Sequence, residues 1–312
     1  MSQNTDHAIV VSALKHAAPY IRLFKKKIFV LKAGGEVFAD TTTTRALMEQ
    51  VGILHQVGIR VVLVHGGGPQ STELSSALGH DSTFIDGRRV TDGDSLDVAM
   101  MVLNGQINTR VLASCLDLGV PAVGISGIDA GLIRAHRRPP VQNKDGDPVD
   151  YGHVGDIDSV DADILRKQLD NDLMPVVSPL SCDSSGNVLN INADTVAAAI
   201  AAELNAEKLI LATSAPGILE DIDDPQSLIS YVGRADLKRL RDSGKLADGM
   251  LPKAAAIEHA LANGVKRVHV ISHKVPDSLL LEVFTNEGTG TLVVNDVTAL
   301  TPAEQASGGT DQ

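Results

Sequence analysis

Short apolar runs alternate with amphipathic stretches along most of this chain. Strand-like runs fall at 28–31, 60–64, 122–124, 174–178, 208–212 and 268–272. Each is brief and rich in Val, Ile and Leu, the signature of a strand buried on both faces. Helical periodicity occupies 42–56, 70–78, 95–118, 162–170, 193–204 and 252–263. The alternation predicts an α/β fold, a three-layer αβα sandwich around a mainly parallel sheet. Longer turn-rich connections at 79–91, 135–158 and 180–189 are expected to fold over a ligand at one sheet edge. The last holds DSSGN at 183–187, a hairpin turn by composition. Ahead of the first strand, 7–24 is apolar-rich; Pro19 predicts a helix that ends near Ala18. Residues 1–26 read as a helical segment that caps the domain or serves as an oligomerisation arm, and the polar tail 298–312 reads as disordered.

Two of the predicted strands stop abruptly in glycine: FVLKAGGEVFAD at 29–40 and VVLVHGGGPQ at 61–70. Glycines there let main chain approach a ligand, and three in a row at a strand–helix junction present N–H groups at a helix N-terminus. Lys32 stands at the first strand's end, beside Gly34 and Gly35. It either snorkels or meets a phosphate; the glycines favour phosphate. The pattern is neither GxxxxGK[ST] nor GxGxxG, so a P-loop and a dinucleotide fingerprint are both excluded. Arg89, in RRVTD, is suited to a bidentate hold on a carboxylate or to a surface salt bridge. The cluster NINAD at 190–194 precedes an alanine-rich helix, where Asn192 or Asp194 is a candidate N-cap. Lys253 lies in the first turn of a helix, against the macrodipole, a placement an anionic ligand would compensate. A Gly/Pro turn at 214–219 follows the 208–212 strand, where α/β folds bind nucleotides.

Composition narrows the partners. With no Trp and 3% aromatic residues, the core must be aliphatic, as parallel sheets prefer. A net charge of −12 argues against nucleic acid, and the short basic clusters at 25–27 and 137–138 read as solvated surface. Cys115 and Cys182 lack metal-ligand spacing and read as reduced thiols; no run is long enough to span a bilayer. A cytoplasmic location without membrane contact is the expectation.

In order, KAGG, HGGGPQ, RRVTD, GISGIDAGLI, NINADT, APGIL and DGMLPK resemble the amino-acid kinase family, over about 28–294, in its acetylglutamate-phosphorylating branch. The resemblance implies ATP-dependent phosphorylation of the γ-carboxylate of N-acetyl-L-glutamate, in arginine biosynthesis. By the same resemblance, Lys32 and Lys253 stabilise the transferring phosphoryl group and Asp194 orients them. Gly67 and Gly68 face the acceptor carboxylate, Arg89 holds the α-carboxylate and Asn190 the acetylamino group. An acyl-amino-acid-binding lobe (27–204) would precede a nucleotide-binding lobe (205–297). Gly34, Gly35, Ser214, Ala215, Pro216, Gly217, Ile218, Leu219, Lys245, Leu246 and Ala247 would bind ATP, with Mg²⁺ held by phosphates and water and no direct protein ligand. The chain departs from the family at Ser214, usually acidic, and at Ala33, commonly bulky.

Three stretches, PYIRLF, GGEVF and VDYGHVGD, lean instead toward the kinase-like domain of N-acetylglutamate synthase. A catalytically weak or inactive arginine-sensing homologue is the alternative this implies. Tyr20, with Glu282 and Gly288 in LLLEVFTNEGTGT, resembles the arginine-inhibited subgroup. That implies arginine as a feedback inhibitor and a homodimer or a hexamer built as a trimer of dimers. The retained Lys32, Lys253 and Asp194 favour the kinase.

Overall fold

The computed structural model describes residues 2–143, 146–221, 223–224, 226–244, 246, 248–285 and 288–300. Its helices are α1 (Ser2–Phe24), α2 (Thr41–Gln56), α3 (Gly68–Ala77), α4 (Gly93–Met100), α5 (Thr109–Asp117), α6 (Asp163–Asp170), α7 (Ala193–Glu203), α8 (Arg234–Asp242), α9 (Leu251–Ala262) and α10 (Ser278–Phe284). Eight strands form the main sheet: β1 (Ile28–Ala33), β2 (Arg60–His65), β3 (Ala122–Ser126), β4 (Met174–Ser178), β5 (Lys208–Thr213), β6 (Tyr231–Gly233), β7 (Arg267–Ser272) and β8 (Thr291–Val294). They lie in the order β6-β8-β7-β5-β1-β2-β4-β3, and every neighbouring pair is parallel except β7 with β8. The expected αβα sandwich is therefore the observed one.

Alternation along the strands divides the core into two layers. Val30, Val62, Val64, Leu209 and Leu211 face α7 and α9. Phe29, Leu31, Val61, Leu63 and Ile210 face α2, α5 and α10 on the other side. Helix α7 reads ADTVAAAIAAE, and Val196, Ala197, Ala198, Ile200 and Ala201 are all fully buried. Alanine keeps this helix thin enough to lie between the sheet and α9.

Several elements escaped the pattern. β6 and β8 are three and four residues long, α10 has seven, and α8 buries only Leu237 beneath a charged face. The predicted helix over 95–118 exists, but its middle, Met101–Asn108, is π-helical and joins α4 to α5. A second sheet of four strands has the order Val188–Asn190, Leu180–Cys182, Ile133–Arg137, Gly155–Val160. Its first two strands form the predicted hairpin, where Asp183 Oδ1 accepts from the N–H groups of Ser185 and Asn187, each at 2.9 Å. Cys182 belongs to this hairpin's strand, not to its turn.

The expected stop at Ala18 does not occur: α1 runs through Pro19 to Phe24. The ring deletes one main-chain N–H donor, and the turn beyond it is secured by packing. Phe24 is 3% exposed and meets Phe29 edge-on at 5.2 Å between centroids, with Lys208 Nζ 5.0 Å from its ring. Further out, Ile9, Val10, Val11 and Leu14 are exposed. Among the described residues no helix is long and apolar enough to cross a membrane. Of the tail, 301–312 lie outside the described residues. Phe24→Ala is expected to cost about 3 kcal/mol in urea unfolding; a loss below about 1 kcal/mol would show that Phe24 does not anchor α1.

Candidate active site

Lys32 follows Val30 by two residues on β1, so it points to the α7 face. There Asp194, in the first turn of α7, lies 2.9 Å from Lys32 Nζ through Oδ1. Asn192 is the N-cap; its side chain accepts from the N–H groups of Asp194 and Thr195 at 2.8 and 3.2 Å. Capping by Asn192 leaves the Asp194 carboxylate free for cations. Lys253, in the first turn of α9, reaches Asp194 Oδ2 at 3.4 Å. Asp194 and Lys32 are 3% and 6% exposed. Burial pushes the aspartate's pKa up, yet Lys32 and then Lys253 outweigh it and hold the carboxyl below its ordinary value. Two ammonium groups against one carboxylate leave a net positive charge facing the cavity.

The glycine turns close the other side. Gly66 N–H donates to Ala33 O at 2.8 Å, and Gln70 Nε2 donates to Gly35 O at 2.7 Å, so the turns after β1 and β2 are cross-tied. A Cβ on Gly35 would approach Gln70 Oε1 to 2.5 Å, and one on Gly67 would approach Ile107 Cδ1 to 2.7 Å. At Gly35 a Cβ would also press on Pro69 Cδ at 2.8 Å and Gly67 Cα at 3.0 Å, so that place is closed to a side chain, whereas at Gly67 the Ile107 and Leu103 tips would have to shift. Gly67 precedes α3, and Gly68 opens it with space around its Cα, so the positive end of that helix meets the cavity. Lys32, Gly34, Gly35, Gly67, Gly68, Arg89, Asn190, Asp194 and Lys253 all line one cavity of about 420 Å³.

Arg89 and Asn190 also line an adjoining cavity of about 690 Å³, walled by Phe84, Tyr151 and Ile191. The Arg89 guanidinium lies 4.7 Å from the Phe84 ring centre and donates to Gly68 O and Thr72 Oγ1 at 3.2 and 2.6 Å. Main-chain bonds bring these distant segments together: Thr91 N–H to Tyr151 O, His153 N–H to Thr91 O, and Asn190 N–H to His153 O, at 2.9, 2.7 and 2.8 Å. Gly152, with φ +75°, makes the reversal between the first two possible. In the basic pair at 137–138, Arg137 binds Asp150, while half-buried Arg138 binds Asp156 and lines this cavity.

The segment 214–219 is not among the residues lining either cavity. Ser214 is exposed just beyond β5, at the same sheet edge as Gly34, because Ala212 pairs with Ala33. Ala215 and Pro216 are half-buried, and Ala215 N–H donates to Thr213 Oγ1 at 3.4 Å. Gly217 and Ile218 are packed inward, Ile218 N–H donating to Thr291 Oγ1 at 2.8 Å. Leu219 bridges Leu228, and Leu246 is buried in the core, a structural placement. Lys245 and Ala247 lie outside the described residues. Tyr20, Glu282 and Gly288 converge on a separate cavity of about 200 Å³. At its wall His269 Nδ1 lies 2.6 Å from Glu282 Oε1, and Lys208 Nζ lies 3.2 Å from His269 Nε2. A neutral imidazole satisfies both, accepting from the ammonium and donating to the carboxylate. Burial, with Lys208 adding to it, lowers His269 to about 4, while Glu282, despite burial, is held at about 2 by His269 and Thr289.

The amino acid kinase family model matches residues 27–272. The chain belongs to the amino acid kinase family. It is 48% identical to the acetylglutamate kinase of Myxococcus xanthus, over 91% of this chain and 94% of the relative. To the acetylglutamate kinase of Symbiobacterium thermophilum it is 44% identical, over 94% and 99% respectively. Among solved structures, N-acetylglutamate synthase from Neisseria gonorrhoeae with coenzyme A and N-acetylglutamate aligns at TM-score 0.80 and 30% identity. That alignment covers 92% of this chain but 64% of the synthase. The same synthase with coenzyme A and L-arginine aligns at TM-score 0.80 and 28% identity.

Sequence reasoning missed Thr72, Phe84 and Tyr151 around Arg89, since nothing in their spacing marks a common wall. It also gave His65 no role. That ring is fully buried, and burial lowers it to about 4. His65 and His269 both have folded pKa values below the ordinary 6.5. The unfolded chain therefore binds more protons between about pH 6.5 and 4, and stability present above that window is lost as pH falls through it. Each ring contributes a slope of up to about 1.4 kcal/mol per pH unit. Urea midpoints measured at intervals from pH 7 to 4.5 should fall accordingly; a level profile would contradict two neutral buried imidazoles.

Proposed function

We propose that this enzyme transfers the γ-phosphoryl group of ATP to the γ-carboxylate of N-acetyl-L-glutamate, in the cytoplasm. The observation that carries the reading is Asp194 holding Lys32 and Lys253 in one cavity with the N-terminal end of α3. Phosphoryl transfer asks mainly for alignment and for neutralisation of charge on the equatorial oxygens. Two lysines supply that charge from different elements, and the N–H groups at Gly67 and Gly68 can hold the attacking carboxylate. The acceptor is already ionised at neutral pH, so no general base is needed. Asp194, paired to both lysines, is an organiser and not a proton acceptor.

Arg89 takes the α-carboxylate and Asn190 the acetylamino group, leaving the γ-carboxylate directed at the glycine turn. The adenine side would lie beyond Gly34 and Gly35, toward Ser214, so that 27–204 binds the acceptor and 205–297 the nucleotide. The donor set suits a polyanion better than a bare metal ion, because the buried carboxylate is already held by two ammonium groups. Mg²⁺ would thus arrive on ATP, neutralising phosphate charge.

One further observation favours regulation by arginine: Tyr20, distant in sequence from Glu282 and Gly288, lines a single cavity with them at the root of α1. The exposed apolar positions of α1 suit self-association, as a dimer or a trimer of dimers, which light scattering tests directly.

In an ATP-consumption assay offered N-acetylglutamate, aspartate or carbamate, turnover is expected with the first alone. Lys32→Ala and Lys253→Ala should each lower kcat by about 10²–10³-fold while remaining folded; near-normal turnover in either would remove that lysine from the mechanism. Arginine should slow the wild type, and Glu282→Gln should raise the arginine needed by about tenfold or more. Insensitivity of the wild type to arginine would reject the regulatory reading and leave the kinase reading standing.

A further inference from the structure

His65 and Asn108 touch no substrate position, yet they join the elements that frame the glycine turn. His65 ends β2 and is fully buried beneath residues 66–68. Asn108 ends the π-helical turn Met101–Asn108. Its Nδ2 lies 3.2 Å from His65 Nε2 and 3.0 Å from Val176 O. An amide has two N–H groups, so one goes to the strand carbonyl and the other to the ring. His65 Nε2 is then the acceptor, and Nδ1 bears the proton, facing Gly66 O at 3.4 Å. Phe38, from the turn after Gly35, packs edge-on to the ring at 6.1 Å between centroids.

The π-helical turn also presses on the loop directly. A Cβ on Gly67 would approach Leu103 Cδ2 to 2.9 Å and Val102 Cγ1 to 3.3 Å, besides Ile107. The extra residue in a π turn rotates the downstream residues by about 100° relative to an α-helical course. Without it Asn108 would not face both β2 and β4. Gly124 completes the fit, since a Cβ there would lie 3.1 Å from Asn108 Cγ and overlap its oxygen. π-helical turns are rare and frequently sit at functional sites, and this one reaches the cavity through Leu103.

We propose that His65 and Asn108 are positioning residues, whose hydrogen bond fixes residues 66–68 so that the N–H groups of Gly67 and Gly68 hold the acceptor carboxylate in line for transfer. The proposal rests on the kinase reading above, and its test separates the two. His65→Phe keeps an aromatic ring but loses the acceptor; Asn108→Leu keeps volume but loses the donor. Both single variants and the double variant should show faster hydrogen exchange at 64–70, with β1 and β5 unchanged. With ATP and N-acetylglutamate, kcat should fall about 10- to 100-fold while KM for ATP stays within about twofold. Because one bond is removed in every case, the double variant should cost no more than the worse single. His65→Gln, which can place an acceptor near the Nε2 position, should recover kcat relative to His65→Phe.

Unchanged exchange at 64–70, additive losses, or kcat within about twofold of wild type would overturn the proposal. A packing role alone would lower the urea midpoint without the exchange change confined to 64–70 or the kcat–KM split. Should Asn108→Leu fail to fold, Asn108→Ala serves in its place. A wild type that does not phosphorylate N-acetylglutamate would defeat the kinase reading, while the exchange measurement would still decide whether this bond fixes the turn.

Discussion

A lysine buried at the end of a strand is tolerable only if a carboxylate meets it, and the Lys32–Asp194 pair sets the terms for the surrounding structure. Removing both charges from water is costly, and close approach with good geometry must offset the cost. The fold provides that approach through β1, which fixes the lysine, and through the Asn192 cap, which fixes the first turn of α7. Helix α7 can lie close against the sheet because it is mostly alanine, and α9 can lie close against α7 for the same reason. Lys253 is delivered by that second packing. The charges in the cavity therefore depend on side chains with no chemistry of their own.

Much of this was legible in the sequence because buried parallel strands announce themselves as short aliphatic runs. The six principal strands, the two glycine exits and the pairing of Lys32, Asp194 and Lys253 followed from local pattern and motif order. What stayed hidden depended on tertiary context. β6 and β8 are too short to carry a period, and α8 shows one buried leucine among charges. Pro19 suggested a helix stop because its lost hydrogen bond is a local cost, whereas part of what anchors Phe24, the Lys208 ammonium over its ring, comes from across the fold. The π-helical turn is invisible to periodicity for a related reason: eight residues are too few to separate a wider turn from an α-helical one.

The residues that the resemblance assigns to the nucleotide are divided between packing and solvent. Within 214–219, Gly217 and Ile218 are committed to packing against Thr291 and the core, leaving Ser214 as the exposed polar group at the sheet edge. Leu246 is a core residue by burial. The Tyr20, Glu282 and Gly288 group behaves differently. Those residues come together around a Lys208–His269–Glu282 chain, in which a neutral ring separates opposite charges and the Lys208 ammonium faces the Phe24 ring of α1. The N-terminal helix is thus seated on a polar chain within the core.

The two lysines contact different oxygens of Asp194, and they do not share a footing. Lys32 belongs to a central strand and sits at 2.9 Å; Lys253 belongs to a helix end, is more exposed, and sits at 3.4 Å. On the proposed reading, Lys253 would turn toward an incoming phosphate while Lys32 keeps Asp194 neutralised. The carboxylate would then be a berth with one permanent and one departing occupant, and no step would strand a bare buried charge.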